Sequence, residues 1–467
     1  LVLFFKKELL TYFLKKTKKE TSMPDQTIPI TTQDIGQILD SSRWSLFQKL
    51  IVALAAFSIV LDGFDGQMIG FAIPSLIHAW GLTRGAFTPV VVAGLVGMGI
   101  GSACAGLIAD RFGRRTSILL SIAVFATATC CIGFAPNITV LAVLRLIAGL
   151  GIGGALPTST TLAAEFTPMR SRVMAVTLTI VCVPVGGFFT GLFAHAVIPV
   201  YGWRGLFFIG GAISLVLCLA LLLLLPESPR YLARRPARWP ALVKLLGRMG
   251  QNVAPQTQFS DVVEQRVELR KGLPALFQPG RRRDTFGLSM SFFLNLLAVY
   301  LAFSWLPTLL VGEGLTPAQA GNGLTAYNFG GVLGAILFAI VIGRFGSRTP
   351  MLLCCTGSAI TAFLLRNHME AGTLTWMLGL HGMFVNAVEC ALTALCAYAY
   401  PTAVRATGTA FALAIGRCGA ISAGFAGAAV IDAGGANAYF GLLTVALVIT
   451  LAGLLIIKNH VPAHAGV

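Results

Sequence analysis

The chain has 467 residues, of which 56% are hydrophobic and only 11% charged, with a formal net charge of +16. Soluble domains carry about 25% charged residues, so this composition, with a mean hydropathy of +0.81, excludes a water-soluble globule, a disordered chain and a small disulfide scaffold. The apolar residues gather in blocks of about 20, the length that crosses roughly 30 Å of hydrocarbon, and predict a polytopic, all-α membrane protein.

In chain order, residues 1–22 are Lys-rich and precede Met23. They read either as an interfacial amphipathic helix or, preferably because the chain starts at Leu1, as upstream sequence that is not native, and are expected to be dispensable. Twelve spans are predicted near 50–78, 86–109, 116–135, 138–161, 173–197, 204–225, 286–311, 321–342, 350–366, 374–398, 407–430 and 437–457. The predicted organisation is an N-terminal segment (1–45), a six-helix bundle (46–225), a polar central loop (226–285), a second six-helix bundle (286–457) and a short tail (458–467). Of the 34 Lys and Arg, only Arg84, Arg204 and Arg366 fall on one side and Arg145 and Arg417 inside spans, which leaves 29 on the other side. That asymmetry is the positive-inside signal, so both termini and the central loop are expected in the cytoplasm. The basic residues then face the lipid bilayer, and no nucleic-acid partner is expected. All ten cysteines lie in apolar segments without metal spacing and read as packing residues. No cofactor or metal is predicted.

The two halves repeat at an offset of 233. Arg111-Phe-Gly-Arg-Arg-Thr116 recurs as Arg344-Phe-Gly-Ser-Arg-Thr349, and the same offset pairs Gly97 with Gly330, Gly101 with Gly334, Gly149 with Gly382, Pro168 with Pro401, Arg172 with Arg405 and Gly186 with Gly419. Two six-helix repeats imply a pseudo-symmetric pair of bundles with a site between them near the midplane.

The first span holds Leu61-Asp62-Gly63-Phe64-Asp65. Its two acids are i and i+3 and share a face, deep in the apolar slab, where both cannot stay ionised; a carboxyl that takes up and releases a proton is what coupling requires. The 2–3 loop carries Gly106-Leu-Ile-Ala-Asp110-Arg111-Phe-Gly113-Arg114-Arg115. Gly106 is expected to permit close helix contact, and Asp110 and the arginines to form a gating charge cluster with Glu165 and Arg172 at the ends of the next helices. The repeat supplies Arg344, Arg348 and Arg405, but Gly343 replaces the acid. Span four contributes Arg145 and a Gly149/Gly153 small-residue face, and span ten a third deep acid, Glu389. Arg417 lies within span eleven. A guanidinium in hydrocarbon costs about 2.5–3.5 kcal/mol on insertion scales, so each buried arginine needs a protein acid or an anionic substrate. Arg417 is assigned to a substrate carboxylate, with a protein acid as the alternative; Arg145 is a second substrate-binding candidate, with Glu165 or a first-span aspartate as its alternative partner. Asn295, Tyr300, Trp305, Tyr327 and Asn328 are candidates for a ring-binding wall with hydrogen-bonding groups.

The 2–3 loop resembles the signature of the major facilitator superfamily, over about 45–457. Within it, Asp62-Gly-Phe-Asp65, Phe303-Ser-Trp305-Leu-Pro307, Tyr400-Pro401-Thr-Ala-Val-Arg405 and Ile415-Gly-Arg417 are similar to the aromatic acid:proton symporter family. That resemblance implies proton-coupled import of a benzoate- or hydroxybenzoate-like acid across a bacterial inner membrane by alternating access, as a monomer serving aromatic catabolism, with Asp62, Asp65 and Glu389 in coupling. A sugar or polyol porter is the alternative, weakened because the tail from Lys458 lacks that group's motif; a drug:proton antiporter is a third, since Pro184-x-Gly186-Gly187 only faintly matches. A membrane enzyme or sensor would need catalytic or output motifs, and the chain shows none.

Overall fold

The computed structural model describes residues 32–462 apart from 42–43, 252, 255–256, 262–272 and 401–403; the Lys-rich residues 1–22 lie outside these. Among the described residues nine helices have the length and apolarity to cross a bilayer. Two of them, Met169–Leu224 and Arg405–Ile456, are each broken by non-helical glycines, Gly202 in the first and Gly434 and Gly435 in the second. Gly202 and Gly435 take positive φ, where a side chain would be strained, and each break turns one long helix into two spans. Arg348–Leu364, 17 residues long, completes twelve.

The spans are α1 (Leu46–Trp80), α2 (Thr88–Phe112), α3 (Arg114–Ile132), α4 (Ile138–Glu165), α5 and α6 (169–201 and 203–224), α7 (Arg282–Gly312), α8 (Pro317–Phe345), α9 (Arg348–Leu364), α10 (Ala371–Ala399), and α11 and α12 (405–433 and 436–456). Local chemistry marks their starts. Ser45 and Gln48 form a capping box at α1, Thr316 and Gln319 another at α8, and Asn137 caps α4 through the Val140 N–H at 3.0 Å; each satisfies backbone donors that a helix leaves open.

The repeat seen in the sequence reappears as contacts. A Cβ on Gly97 would strike the Leu146 carbonyl and one on Gly330 the Gly379 carbonyl, 233 residues on; Gly101 against Leu150 is matched by Gly334 against Met383, and Gly186 against Val60 by Gly419 against Phe293. Glycine is present because backbone touches backbone there. The pairs α2–α4 and α1–α5 in one half, and α8–α10 and α7–α11 in the other, are thus held at the closest possible spacing.

The apolar core is divided unequally along the axis. Towards the end away from the termini, one continuous cluster unites both halves, from Met68, Ile73, Phe87 and Trp203 to Leu301, Trp305, Leu324 and Tyr439. Towards the end that carries the termini the halves have separate cores, one around Ile51, Phe125 and Leu162, the other around Phe292, Met351 and Leu395. The bundles therefore close on each other at the far end. The central loop is partly folded: Gln258–Ser260 pairs in parallel with Thr32–Asp34, and Trp239–Arg248 buries Leu242, Leu245 and Leu246 in the first half's core.

Candidate substrate and proton site

Between the halves lies a cavity of about 40 Å³, the space of a few waters. It is lined by Asp62, Gly66 and Gln67 of α1, Met98 of α2, Arg145 of α4, and Tyr300, Phe303 and Ser304 of α7, among others. Asp62 is 7% exposed and its Oδ1 has no hydrogen-bond partner. Three residues on, Asp65 is fully buried and its Oδ2 accepts from Thr129 Oγ1 at 2.8 Å. Arg145 attracts Asp65 electrostatically and donates through Nη2 to the Gly66 carbonyl at 3.4 Å, while its Nε and Nη1 have no partner. Of the two partners open to Arg145, the structure favours the first-span aspartate, because Glu165 is taken up elsewhere.

Arg417 comes from the opposite half. Its Nη1 donates to the Tyr300 hydroxyl at 2.9 Å and lies 2.8 Å from Met98 Sδ. It has no carboxylate within 4.0 Å among the described residues; Asp62 and Glu389 act on it from further away. Glu389 Oε2 accepts from Asn295 Nδ2 at 2.8 Å. The guanidinium is thus held at the seam by neutral groups, with acids on both flanks.

Of the other predicted ring-wall residues, Asn328 does not line the cavity itself but holds Gln67, which does. Its amide exchanges two hydrogen bonds with Gln67, at 3.1 and 2.7 Å, linking α1 to α8 across the seam. Trp305 and Tyr327 are corrected: neither lines the cavity. Trp305 is fully buried against Gly427 of α11, and Tyr327 meets Phe303 edge-on and His381 at a tilt in the joint core. Asn295 is likewise off the cavity and serves Glu389. Gln67 and Met98 were not anticipated. A lone amide in an apolar span is a usable signal, since it must find a partner there; an apolar thioether gives none.

The gating cluster lies at the terminal end and stays within the first half. Arg114 bonds Asp110 at 2.6 Å and reaches Glu165 at 3.5 Å; Glu165 also accepts from Ser228 Oγ. Arg172 pairs with Asp40 at 2.5 Å. The Arg111 carbonyl accepts from Tyr231 and Arg235, and the Arg115 N–H donates to Glu227 at 3.2 Å. Burial pushes the Glu227 carboxyl above its ordinary range, against those backbone donors. Gly113, at φ +104°, turns the chain between α2 and α3, and a Cβ there would overlap the Glu227 carboxylate. Gly113→Ala is expected to lower stability by about 1–3 kcal/mol; an unchanged thermal midpoint of the purified protein would show that the cluster gives way freely. Gly106 is corrected as well. It is exposed and a Cβ on it would meet nothing within 4 Å, because the close-packing glycines, Gly97 and Gly101, sit nearer the midplane. In the second half Arg344 lies over Phe345, and Arg348 is exposed; the Arg405 side chain lies outside the described residues.

The family model for sugar (and other) transporters matches residues 51–466. The chain belongs to this transporter family, within the major facilitator superfamily. It is a transporter rather than an enzyme. The chain is 35% identical over 422 residues to the gallate transporter of Pseudomonas putida, covering 90% of this chain and 92% of that one. It is 33% identical to the 4-hydroxybenzoate transporter PcaK of the same organism, over 86% and 90% of the two chains. The fold is shared with the xylose transporter XylE from E. coli, solved in a partially occluded inward-open conformation, at a TM-score of 0.72 and 18% identity over 89% of this chain and 99% of that one.

Proposed function

We propose that the protein imports an aromatic carboxylate together with protons across a bacterial inner membrane, as a monomer with both termini in the cytoplasm. The observation that carries this reading is Arg417: a half-buried cation at the seam whose hydrogen bonds, among the described residues, go to a phenol and a thioether, and so open to grip an incoming carboxylate with two parallel hydrogen bonds. Met98 is flexible and occupies the place that the carboxylate would take. Phe303 and Tyr300, their ring centroids 5.8 Å apart in a T-shaped pair, offer aromatic surface suited to a ring. The relatives that transport gallate and 4-hydroxybenzoate support the same substrate class. The excess of Lys and Arg at the terminal end supports the orientation, and the shared far-end core then corresponds to a conformation closed towards the outside.

In this reading Asp62, on the cavity wall, takes up the proton next to the substrate, and Asp65 and Arg145 hold a second charge pair behind it. The two bundles, 46–225 and 286–457, rock about the seam so that the Gln67–Asn328 link and the far-end core part when the site faces outward. The test is uptake of labelled gallate and 4-hydroxybenzoate into vesicles of the reconstituted protein under an imposed pH gradient. Accumulation that collapses with a protonophore and is untouched by excess xylose is expected. Equal competition by xylose, or uptake indifferent to the gradient, would count against this reading.

A further inference from the structure

The repeat copies Arg111 and Arg115, but neither Arg114, which falls on Ser347, nor the acids that Arg114 holds. The offset of 233 carries Arg111 to Arg344 and Arg115 to Arg348, whereas the acids around the first copy, Asp110, Glu165 and Glu227, fall on Gly343, Tyr398 and His460. Arg344 and Arg348 are exposed, and neither has a carboxylate within 4.0 Å among the described residues. Next to them an apolar groove of about 510 Å³ runs between α8, α9 and α10, with no charged residue in its lining. Its wall residues Leu337, Phe345 and Leu353 are 51%, 60% and 66% exposed, so it opens outward rather than into the protein. The groove begins at Phe345 and Thr349, each directly after one of the arginines, and reaches up α8 to Gly334. Eleven residues of helix give a depth of about 16 Å, which matches one leaflet, half of roughly 30 Å of hydrocarbon.

We infer that this groove holds an acyl chain of an anionic phospholipid whose phosphate is gripped by Arg344 and Arg348. Charge complementarity selects the headgroup: paired guanidinium forks suit phosphate oxygens, and basic pockets between spans attract anionic lipid. The apolar walls and their length select the chain. In the first half the same corner is filled by protein: Asp110 and Glu165 hold Arg114, and Arg115 donates its backbone N–H to Glu227 and its guanidinium to the Leu222 carbonyl. The tail is tied to the same corner, with the Val461 N–H donating to Ser347 Oγ at 2.9 Å and the Ser347 N–H to the Val461 carbonyl at 3.0 Å. A lipid seated there braces α9 against α8 and α10 at the end where the two halves stand apart. The site stands on the structure alone and does not depend on which substrate is carried.

The test is native mass spectrometry of the full chain released from nanodiscs of phosphatidylglycerol and phosphatidylcholine at one to three. The parent is expected to retain one phosphatidylglycerol in preference to phosphatidylcholine. Arg344→Gln with Arg348→Gln should weaken that retention about tenfold or more, from roughly 1 kcal/mol per basic residue near the surface, while the paired lysine variants should keep most of it. Cys354→Phe leaves both charges in place but narrows the groove, and should weaken retention comparably. Arg238→Gln with Lys244→Gln removes two charges from the central loop and should change nothing. The assignment is overturned if the parent shows no preference, if the glutamine pair or Cys354→Phe retains the lipid in full, or if the central-loop pair loses it equally.

Discussion

Asp62→Asn is expected to abolish proton-driven accumulation, lowering the steady-state gradient at least tenfold, while exchange of substrate across the membrane survives. An amide in the same place keeps the shape of the cavity wall but cannot carry a proton through the cycle. Asp65→Asn should also lose accumulation, with an added cost in stability. It leaves Arg145 without the carboxylate that attracts it, and a buried charge left uncompensated is destabilising. Asp65→Asn with Arg145→Gln removes both charges, so it should recover folded protein without recovering accumulation. The measurement is uptake at matched membrane expression, with counterflow as the exchange arm. Should both single variants accumulate substrate and collapse with a protonophore like the parent, coupling lies elsewhere, and Glu389 with its Asn295 partner becomes the next group to change.

Arg417→Ala should nearly abolish uptake, and Arg417→Lys should weaken apparent affinity roughly tenfold to a hundredfold, the range set by about 1.5–3 kcal/mol for hydrogen bonds to a charged group. Lysine keeps the charge but not the planar fork. It also loses the geometry that lets one guanidinium lie against Tyr300 and Met98 together. The deciding comparison is between a carboxylate and its neutral amide in equilibrium binding. The parent should prefer the carboxylate and Arg417→Ala should lose that preference; a variant that keeps it in full makes Arg417 a structural charge.

The spans were legible because they are apolar blocks separated by charge or by turn residues such as Pro136-Asn137, and the repeat because its glycines and arginines recur at one spacing. Even α9, only 17 residues long, stands out between Arg348 and Arg366. Which side of a span faces the seam was not legible. A helix apolar all round has no polar face to orient it, so Trp305 and Tyr300, five residues apart on α7, could not be told apart. One lies in the far-end core and the other on the cavity. Charge was a better guide than aromaticity: Asp62 and Arg145 line the cavity and Arg417 is bonded to its wall, since a buried charge must have a reason to be there. The folded part of the central loop was hidden for a different reason. Its apolar residues, Leu242, Leu245 and Leu246, are too few to announce a core and become one only against the first bundle.

The glycine contacts that repeat across the two halves separate what responds to a proton from what does not. Within each bundle the helices are fixed by backbone lying on backbone, at Gly97, Gly101 and Gly186 and again at Gly330, Gly334 and Gly419. Such contacts carry no charge, so acidity and ionic strength leave them alone. The charges at the cavity, Asp62 and Arg145 in one half and Arg417 in the other, instead act across the boundary between the halves. In the proposed cycle a change of protonation at Asp62 therefore acts on the boundary between two tightly packed bodies, which favours moving one against the other.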